Sequence, residues 1–166
     1  MEPVECEWKW SLDASGHDRL RLAIPDWFGQ SGRRERQRNR FLDTDDGALR
    51  RAGFGCRLRL VEQRLVLTCK RRRSQSDGYH VADEYESLVN TAAWTAVAEV
   101  GESAQEWLPL PPVVARVCAG RPLRCLGGFD NLRLTWRSDG EEIALDRTTS
   151  AAEQIARMIR QTAAMA

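Results

Sequence analysis

The sequence predicts an α+β domain in which an antiparallel β-sheet carries helices on one of its faces. Several short segments alternate apolar and charged side chains with the period of two that is typical of half-buried strands. Residues 91–121 are instead richer in Ala, Val and Leu and are interrupted by prolines, which indicates short helices. With 166 residues, 42% of them hydrophobic, the chain is long enough to form one domain with its own core.

Five segments of the first 90 residues have the pattern of strands. They are residues 3–10, 38–43, 55–62, 64–71 and 81–89. The stretch between the first two contains Pro25, Gly29 and Gly32 and is predicted to be variable. Residues 44–53 form a predicted short helix, because a capping hydroxyl or carboxylate stands at its start and Gly53 follows its end.

The C-terminal part adds two strands and a helix. Strands are predicted over 131–137 and 141–147, on either side of a Ser-Asp-Gly turn. The run Ser150-Ala151-Ala152-Glu153 is a capping box, and apolar residues at helical spacing follow it, so a helix is expected over 151–163. The predicted division is one domain over 1–149 and a helical tail over 150–166.

The overall composition disfavours several classes of partner. The net charge of +1 gives no general reason to expect nucleic acid, and no apolar run approaches the roughly 20 residues that span a bilayer. Five cysteines form no CxxC pair, and Cys6, Cys56 and Cys69 fall on apolar strand faces. We therefore expect buried free thiols in a reducing compartment, which favours the cytoplasm. A zinc site is disfavoured, because His17 and His80 are the only histidines.

In six of the predicted strands, one face carries ionisable side chains and the other face is apolar. These residues are Glu5, Glu7 and Lys9, then Arg57 and Arg59, then Lys70, then Glu84 and Glu86, and finally Arg133 and Asp146. A sheet with one wet face would show the same alternation. However, like charges two residues apart repel each other, so the pairs indicate ligands of opposite sign. Carboxylate pairs suit Mg2+ or Mn2+, and Arg and Lys suit phosphoryl oxygens, so the pattern predicts a site for a metal–polyphosphate complex.

Seven segments in chain order carry a family resemblance. They are Glu5-x-Glu7-x-Lys9, Gln37 to Thr44, Leu49-Arg50-Arg51 with Arg57-Leu58-Arg59, Thr68-Cys69-Lys70, Asp83-Glu84-Tyr85-Glu86, Leu126 to Arg133, and Ala144 to Thr148. Together they resemble the motifs of the CYTH family, the triphosphate tunnel metalloenzymes, and its plant-type branch most of all. Each motif is weak alone, and the specificity comes from their order over about residues 3–149.

The resemblance implies a fold, an activity and roles for the charged residues. The fold would be an antiparallel eight-stranded β-barrel, a tunnel with a charged interior and helices packed outside, in which triphosphates are hydrolysed or cyclised with a divalent cation, Mg2+ or Mn2+. By the same resemblance, Glu5 and Glu7 would hold metal. The phosphate-binding residues would be Lys9, Arg57, Arg59, Lys70 and Arg133. A second metal or the attacking water would be held by Glu84, Glu86 and Asp146.

Three departures from the family pattern limit these expectations. No ExE pair follows Asp146, although relatives carry one on a final strand, so the barrel is expected to be incomplete. Asn131 stands where many relatives have lysine, and Ala82 where some have arginine. Unpaired strand edges in an incomplete barrel could pair with a second copy, which would give a homodimer.

The leading functional prediction is metal-dependent hydrolysis of inorganic triphosphate or a similar small triphosphate. The alternatives are a non-catalytic polyphosphate- or nucleotide-binding CYTH module, and an adenylate cyclase or thiamine triphosphatase. The arginine-rich runs 33–40 and 70–73 are expected to be solvated, so nucleic-acid binding ranks last.

Overall fold

Seven strands and four helices lie in the part of the chain that the computed structural model describes, residues 4–97 and 108–150. The strands are β1 (Val4–Trp8), β2 (Arg33–Thr44), β3 (Phe54–Val61), β4 (Arg64–Ser76), β5 (Tyr79–Val89), β6 (Leu123–Ser138) and β7 (Glu141–Ser150). The helices are α1 (Ala14–Phe28), α2 (Ala48–Arg51), α3 (Ala92–Ala96) and α4 (Pro112–Cys118). The strands form one sheet in the order β1-β5-β4-β3-β2-β6-β7, with antiparallel neighbours. The predicted α+β class with an antiparallel sheet is confirmed.

The chain divides into two compact units. The first unit comprises Met1–Trp10 and Asn39–Gly127, and the second comprises Ser11–Arg38 and Gly128–Ala166. The long strands β2 and β6 each contribute one end to each unit. Most of the predicted site residues therefore belong to the first unit, whereas Arg133 and Asp146 belong to the second.

The core of the first unit lies between the apolar faces of its strands and its short helices. Leu58 and Leu67 are register partners on β3 and β4, and both are almost fully buried. Ala93 of α3 and Val114 of α4 belong to the same core cluster and are fully buried. The apolar strand faces are thus covered by helices, as the alternation predicts, which leaves the charged faces to form the other side of the sheet.

The core of the second unit depends on a helix that the sequence analysis did not predict. Asp13 caps α1 by accepting a hydrogen bond from the backbone N–H of Gly16 at 2.7 Å, and Gly29 ends the helix in the left-handed conformation. Ile24 of this helix packs with Trp136 of β6, and both are buried. The prediction failed here because Pro25 lies inside the helix, where proline is usually a helix breaker.

Several other predicted elements differ from the structure. The arginine-rich run 33–40, most of which lies in the stretch predicted to be variable, belongs to strand β2, and β6 begins at Leu123, well before residue 131. Among the cysteines, Cys56 and Cys69 are buried as expected, but Cys6 is exposed. Strand β7 continues to Ser150, and the predicted helix over 151–163 lies outside the described residues.

The edge strands of the sheet bear on the prediction of a homodimer, and its helices bear on the expectation that no segment spans a membrane. In the strand order of the described residues, β1 and β7 each have a neighbour on one side only. Homodimerisation through such an edge stays a prediction. Among the described residues, no helix has both the length and the apolar character of a membrane-spanning segment.

Asp46 joins three segments of the first unit through its carboxylate. It accepts hydrogen bonds from the Thr44 hydroxyl at 2.7 Å and from the guanidinium groups of Arg51 and Arg121, both at 2.6 Å. The Thr44 hydrogen bond, followed by the Arg51 hydrogen bond and the charges of the two arginines, lowers the pKa of Asp46 from 3.8 to about 2. The carboxylate is therefore favoured in the folded state.

Substituting Asp46 by asparagine is expected to make stability less sensitive to acid. A carboxyl group whose pKa is lower in the folded state stabilises the fold above its unfolded pKa, and this contribution is lost as the pH falls through the folded pKa. The stability difference between wild type and Asp46→Asn should therefore be constant above about pH 4 and shrink toward pH 2. Urea unfolding at steps between pH 2 and pH 6 measures it, and a difference that does not change with pH would contradict the expectation.

Candidate functional site

The charged face of the first unit is ordered by the register of four neighbouring strands. Thr68 on β4 lies opposite Arg57 on β3 and opposite Glu86 on β5. One step along, Lys70 lies opposite Glu84. Because register partners in an antiparallel sheet project to the same side, these predicted side chains share one surface.

Lys70 is the centre of this surface. Its ammonium group forms ion pairs with Glu84, at 3.1 Å between Nζ and Oε1, and with Glu5, which reaches it from β1. All three side chains are between 20% and 28% exposed, so the cluster is partly shielded from water. Two carboxylates from two strands therefore converge on one cation, the ammonium group of Lys70.

The two carboxylates respond differently to their surroundings. Burial acts to raise the pKa of Glu5, but the hydrogen bond and charge of Lys70, with the charge of Lys9, outweigh it and hold the pKa below 4.5. Burial also raises the pKa of Glu84; Lys70 opposes this, but the charges of Glu5 and Glu86 add to it, and the pKa stays above 4.5. Burial thus disfavours the charged form of Glu84, whereas Lys70 and Lys9 favour the charged form of Glu5, although both carboxylates contact Lys70.

Glu86 and Arg59 each have a neutral partner that the sequence analysis did not single out for that role. The hydroxyl of Thr68 donates to Glu86 at 3.1 Å, and Arg59 Nε donates to the side-chain oxygen of Asn39 at 3.1 Å. Thr68 and Asn39 are 1% and 3% exposed. Thr68 and Asn39 are polar residues within predicted strands, and this is the signal in the sequence that could have identified them. A polar group that is buried in a strand needs a hydrogen-bond partner.

Lys9 and Glu7 form a separate pair at one end of the charged face. Their side chains are 2.5 Å apart, and the lysine is 54% exposed. Such an exposed pair holds its partners weakly, so both groups stay accessible to other ions. The first unit therefore brings Glu5, Lys70 and Glu84 into contact and keeps Glu7 with Lys9.

The predicted residues of the second unit also contact each other. Arg133 donates two parallel hydrogen bonds to Asp146, at 2.8 Å and 2.6 Å. These hydrogen bonds raise the pKa of Arg133 above its ordinary value, against the opposing effect of burial. Two residues before Arg133 on the same strand, the side-chain amide of Asn131 donates a hydrogen bond to Gln37 at 3.4 Å. It also accepts a hydrogen bond from the Thr148 hydroxyl at 3.3 Å. Asn131 is thus part of a buried amide network.

The acidic residues fit a divalent cation only in part. Within residues 4–97 and 108–150, no group of three or more His, Cys, Asp or Glu side chains is arranged to hold a metal ion. Two carboxylates, Glu5 and Glu84, do converge on one positive charge, that of Lys70. Mg2+ is commonly bound by one or two carboxylates together with the phosphate oxygens of a substrate. The two carboxylates therefore fit a cation that binds together with a phosphate ligand. They are too few to complete the coordination of a metal ion by protein side chains alone.

Comparison with known families defines the class to which this fold and charged face belong. A CYTH domain family model matches residues 4–155. The chain therefore belongs to the CYTH domain family, as the order of its motifs indicates. No curated protein is significantly similar to the chain.

Two solved structures share the fold at low sequence identity. HpAC1 from Hippeastrum is a candidate adenylyl cyclase described as having a dominant triphosphatase activity. It is 22% identical, with a TM-score of 0.66 and coverage of 91% of this chain and 81% of that one. A candidate adenylate cyclase from Bacillus halodurans is 17% identical, with a TM-score of 0.58 and coverage of 91% and 74%. These similarities establish the CYTH fold.

Proposed function

We propose that this CYTH protein binds a small triphosphate on its charged face and hydrolyses it with the help of a divalent cation, Mg2+ or Mn2+. The observation that carries the proposal is the convergence of Glu5 and Glu84 on a single positive charge, next to the arginines of β3. The description of HpAC1 as having a dominant triphosphatase activity supports hydrolysis over cyclisation as the reaction.

In this proposal the cationic residues bind the phosphate chain. Arg57 and Arg59 of β3 offer guanidinium groups, which bind phosphoryl oxygens in pairs. Lys70 and Lys9 offer ammonium groups once the carboxylates that pair with them bind the divalent cation instead. Arg133 is proposed as a further phosphate ligand by the family resemblance. These contacts hold the anhydride bonds in a fixed position and counter the charge that develops on the oxygens as the bond breaks.

The carboxylates have two proposed roles. Glu5 and Glu84 would hold the divalent cation, with Glu7 as a further oxygen donor on β1. When bound, the cation would supply positive charge to the phosphate oxygens and so make the phosphorus easier to attack. Glu86, held in orientation by the Thr68 hydroxyl at 3.1 Å, would orient the attacking water and accept its proton. Asp146 is proposed for the same task by the resemblance.

Phosphate release from tripolyphosphate tests this proposal directly. We expect release with Mg2+ or Mn2+, none with a chelator, and recovery when metal is added back. Glu5→Gln should lower the rate by roughly 100-fold or more, because it removes one of two converging carboxylates. The control is Glu141→Gln, the same chemical change at the exposed start of β7. Metal-independent release, or equal rates in both variants, would contradict the proposal.

A second candidate is a CYTH module that binds triphosphate without hydrolysing it. The observation in its favour is the small acidic donor set, which includes no group of three ligands in the described residues. This candidate predicts saturable binding of tripolyphosphate without phosphate release at any metal concentration. Incubation with ATP or thiamine triphosphate and analysis of the products would distinguish cyclase and thiamine triphosphatase activities from both candidates.

A further inference from the structure

Arg72 is a cation of the first unit that the predicted set of site residues does not include. Alternation along β4 places it on the same face as Thr68 and Lys70, and the register of β4 with β5 becomes irregular only after it. The contact between Lys70 and Glu84 shows that this is the charged face of the sheet. Arg72 therefore stands two residues from the centre of the proposed site.

The two arginines beside it are engaged elsewhere. Arg71 lies over the ring of Phe54, 5.5 Å from its centre, and Phe54 belongs to the apolar core. Arg73 forms an ion pair with Asp83, which is almost buried. Since neighbouring residues on a strand project to opposite faces, these contacts support the placement of Arg72 on the charged face.

Among the described residues, the guanidinium group of Arg72 lacks a counter-ion. Its register partner on β5 is Ala82, whose side chain carries no charge. On the other side, its backbone N–H donates to the carbonyl of Gly53, which has no side chain. Within residues 4–97 and 108–150, Arg72 has no ion-pair partner. Lys70, in contrast, is shared by two carboxylates.

The surface beside Lys70 and Arg72 is open. Gly55 is the register partner of Lys70, and a Cβ atom at Gly55 would meet nothing within 4 Å. The backbone of Gly55 is not left-handed, so its conformation does not require glycine. A Cβ at Gly53 would also meet nothing within 4 Å. We call this side-chain-free area, formed by Gly53 and Gly55, the open strip.

We propose that Arg72 is a phosphate-binding residue of the triphosphate site, an inference that rests on the proposed function. The positive charge of Lys70 is offset by Glu5 and Glu84 unless another cation binds these two carboxylates. The positive charge of Arg72 can interact with an anion without such a change. Alternate residues on a strand are about 6.7 Å apart, so Arg72 reaches a different phosphate group from the one beside Lys70. Its guanidinium group can donate two parallel hydrogen bonds to phosphoryl oxygens across the open strip.

The test is calorimetric titration of tripolyphosphate into the purified full chain and its variants, at low salt and with a chelator present. Arg72→Ala should bind roughly 10- to 100-fold more weakly than wild type, because one charge-assisted contact is lost. The matched control is Arg71→Ala, which removes the same charge from the opposite face and should bind within about twofold of wild type. Gly55→Val, which fills the open strip, should also weaken binding.

The possible results separate this inference from the proposed function. If Arg72→Ala binds like wild type, or if Arg71→Ala loses as much affinity, Arg72 is not a phosphate ligand, even where wild type releases phosphate normally. If Arg72→Ala binds tripolyphosphate weakly in chelator and wild type releases no phosphate even with Mg2+ or Mn2+ added, the inference stands and hydrolysis is excluded. If wild type does not bind tripolyphosphate in chelator, the inference about Arg72 is wrong, and the proposed function is wrong as well only if phosphate release with Mg2+ or Mn2+ is also absent. If the variants and the wild type have equal melting temperatures, a loss of tripolyphosphate affinity is due to the substituted side chain and not to unfolding.

Discussion

Replacing Glu84 by glutamine is expected to remove most of the turnover of tripolyphosphate and, at the same time, to strengthen its metal-free binding. The carboxylate of Glu84 converges with that of Glu5 on Lys70, and its pKa is raised by burial and, to a lesser extent, by the charges of Glu5 and Glu86. Loss of this group should lower kcat by roughly 100- to 1,000-fold, because it removes one of the two carboxylates proposed to hold the cation that stabilises the developing charge.

The binding effect has the opposite sign because the substrate is itself an anion. Without metal, the charge of Glu84 repels tripolyphosphate and occupies Lys70. Removing about 1 kcal/mol of repulsion at this partly exposed position should tighten binding roughly fivefold. A misfolded variant would lose both activity and affinity, so the opposite signs identify a role in the site.

Kinetics of phosphate release and calorimetry in chelator measure the two effects on the same preparation. Glu141→Gln, at the exposed start of β7, is again the control and should change neither. A kcat within threefold of wild type would show that Glu84 takes no part in hydrolysis. Weaker metal-free binding would show that its charge does not oppose the anion.

Replacing Asp43 by alanine is expected to cost the fold about 3 kcal/mol, since the carboxylate of Asp43 is the main cap of α2. It is 5% exposed and accepts hydrogen bonds from the backbone N–H groups of Thr44 at 2.7 Å, Leu49 at 2.9 Å and Arg50 at 3.2 Å. Alanine would leave these donors without an acceptor where water has little access. The helix residue Leu49 is fully buried in the core, so the loss reaches the packing of the first unit.

Thermal and urea unfolding measure this loss, which corresponds to about 10 °C in melting temperature. The matched control is Asp45→Ala, two residues along, where the carboxylate pairs with Arg124 and is 69% exposed. An exposed pair contributes less than about 1 kcal/mol, so this variant should remain close to wild type. Asp43→Asn keeps one oxygen acceptor and should fall between the two. Equal effects at both positions would argue against the capping role.

The prediction from sequence succeeded where the signal is local and periodic. Alternation along β3, β4 and β5 places Arg57 with Arg59 and Glu84 with Glu86 on shared faces, and the described strands agree. It failed for α1, because Pro25 interrupts the helical pattern while the helix is stabilised by packing of Ile24 on Trp136. Alternation along the first strand also does not bury its apolar side, since Trp8 and Trp10 are 57% and 74% exposed and stack on each other.

The family and the face of the sheet that carries the charges were determined by the sequence alone, because the direction of a side chain in a strand depends on its position along that strand. Only the tertiary structure decided which charges meet. Glu5 and Lys70 are 65 residues apart and pair only because β1 and β4 both neighbour β5. Strand register is set by pairing between distant segments, and no pattern within one segment encodes it. For the same reason, the position of Arg72 beside Ala82 and Gly53, without a carboxylate, emerged only from the folded sheet.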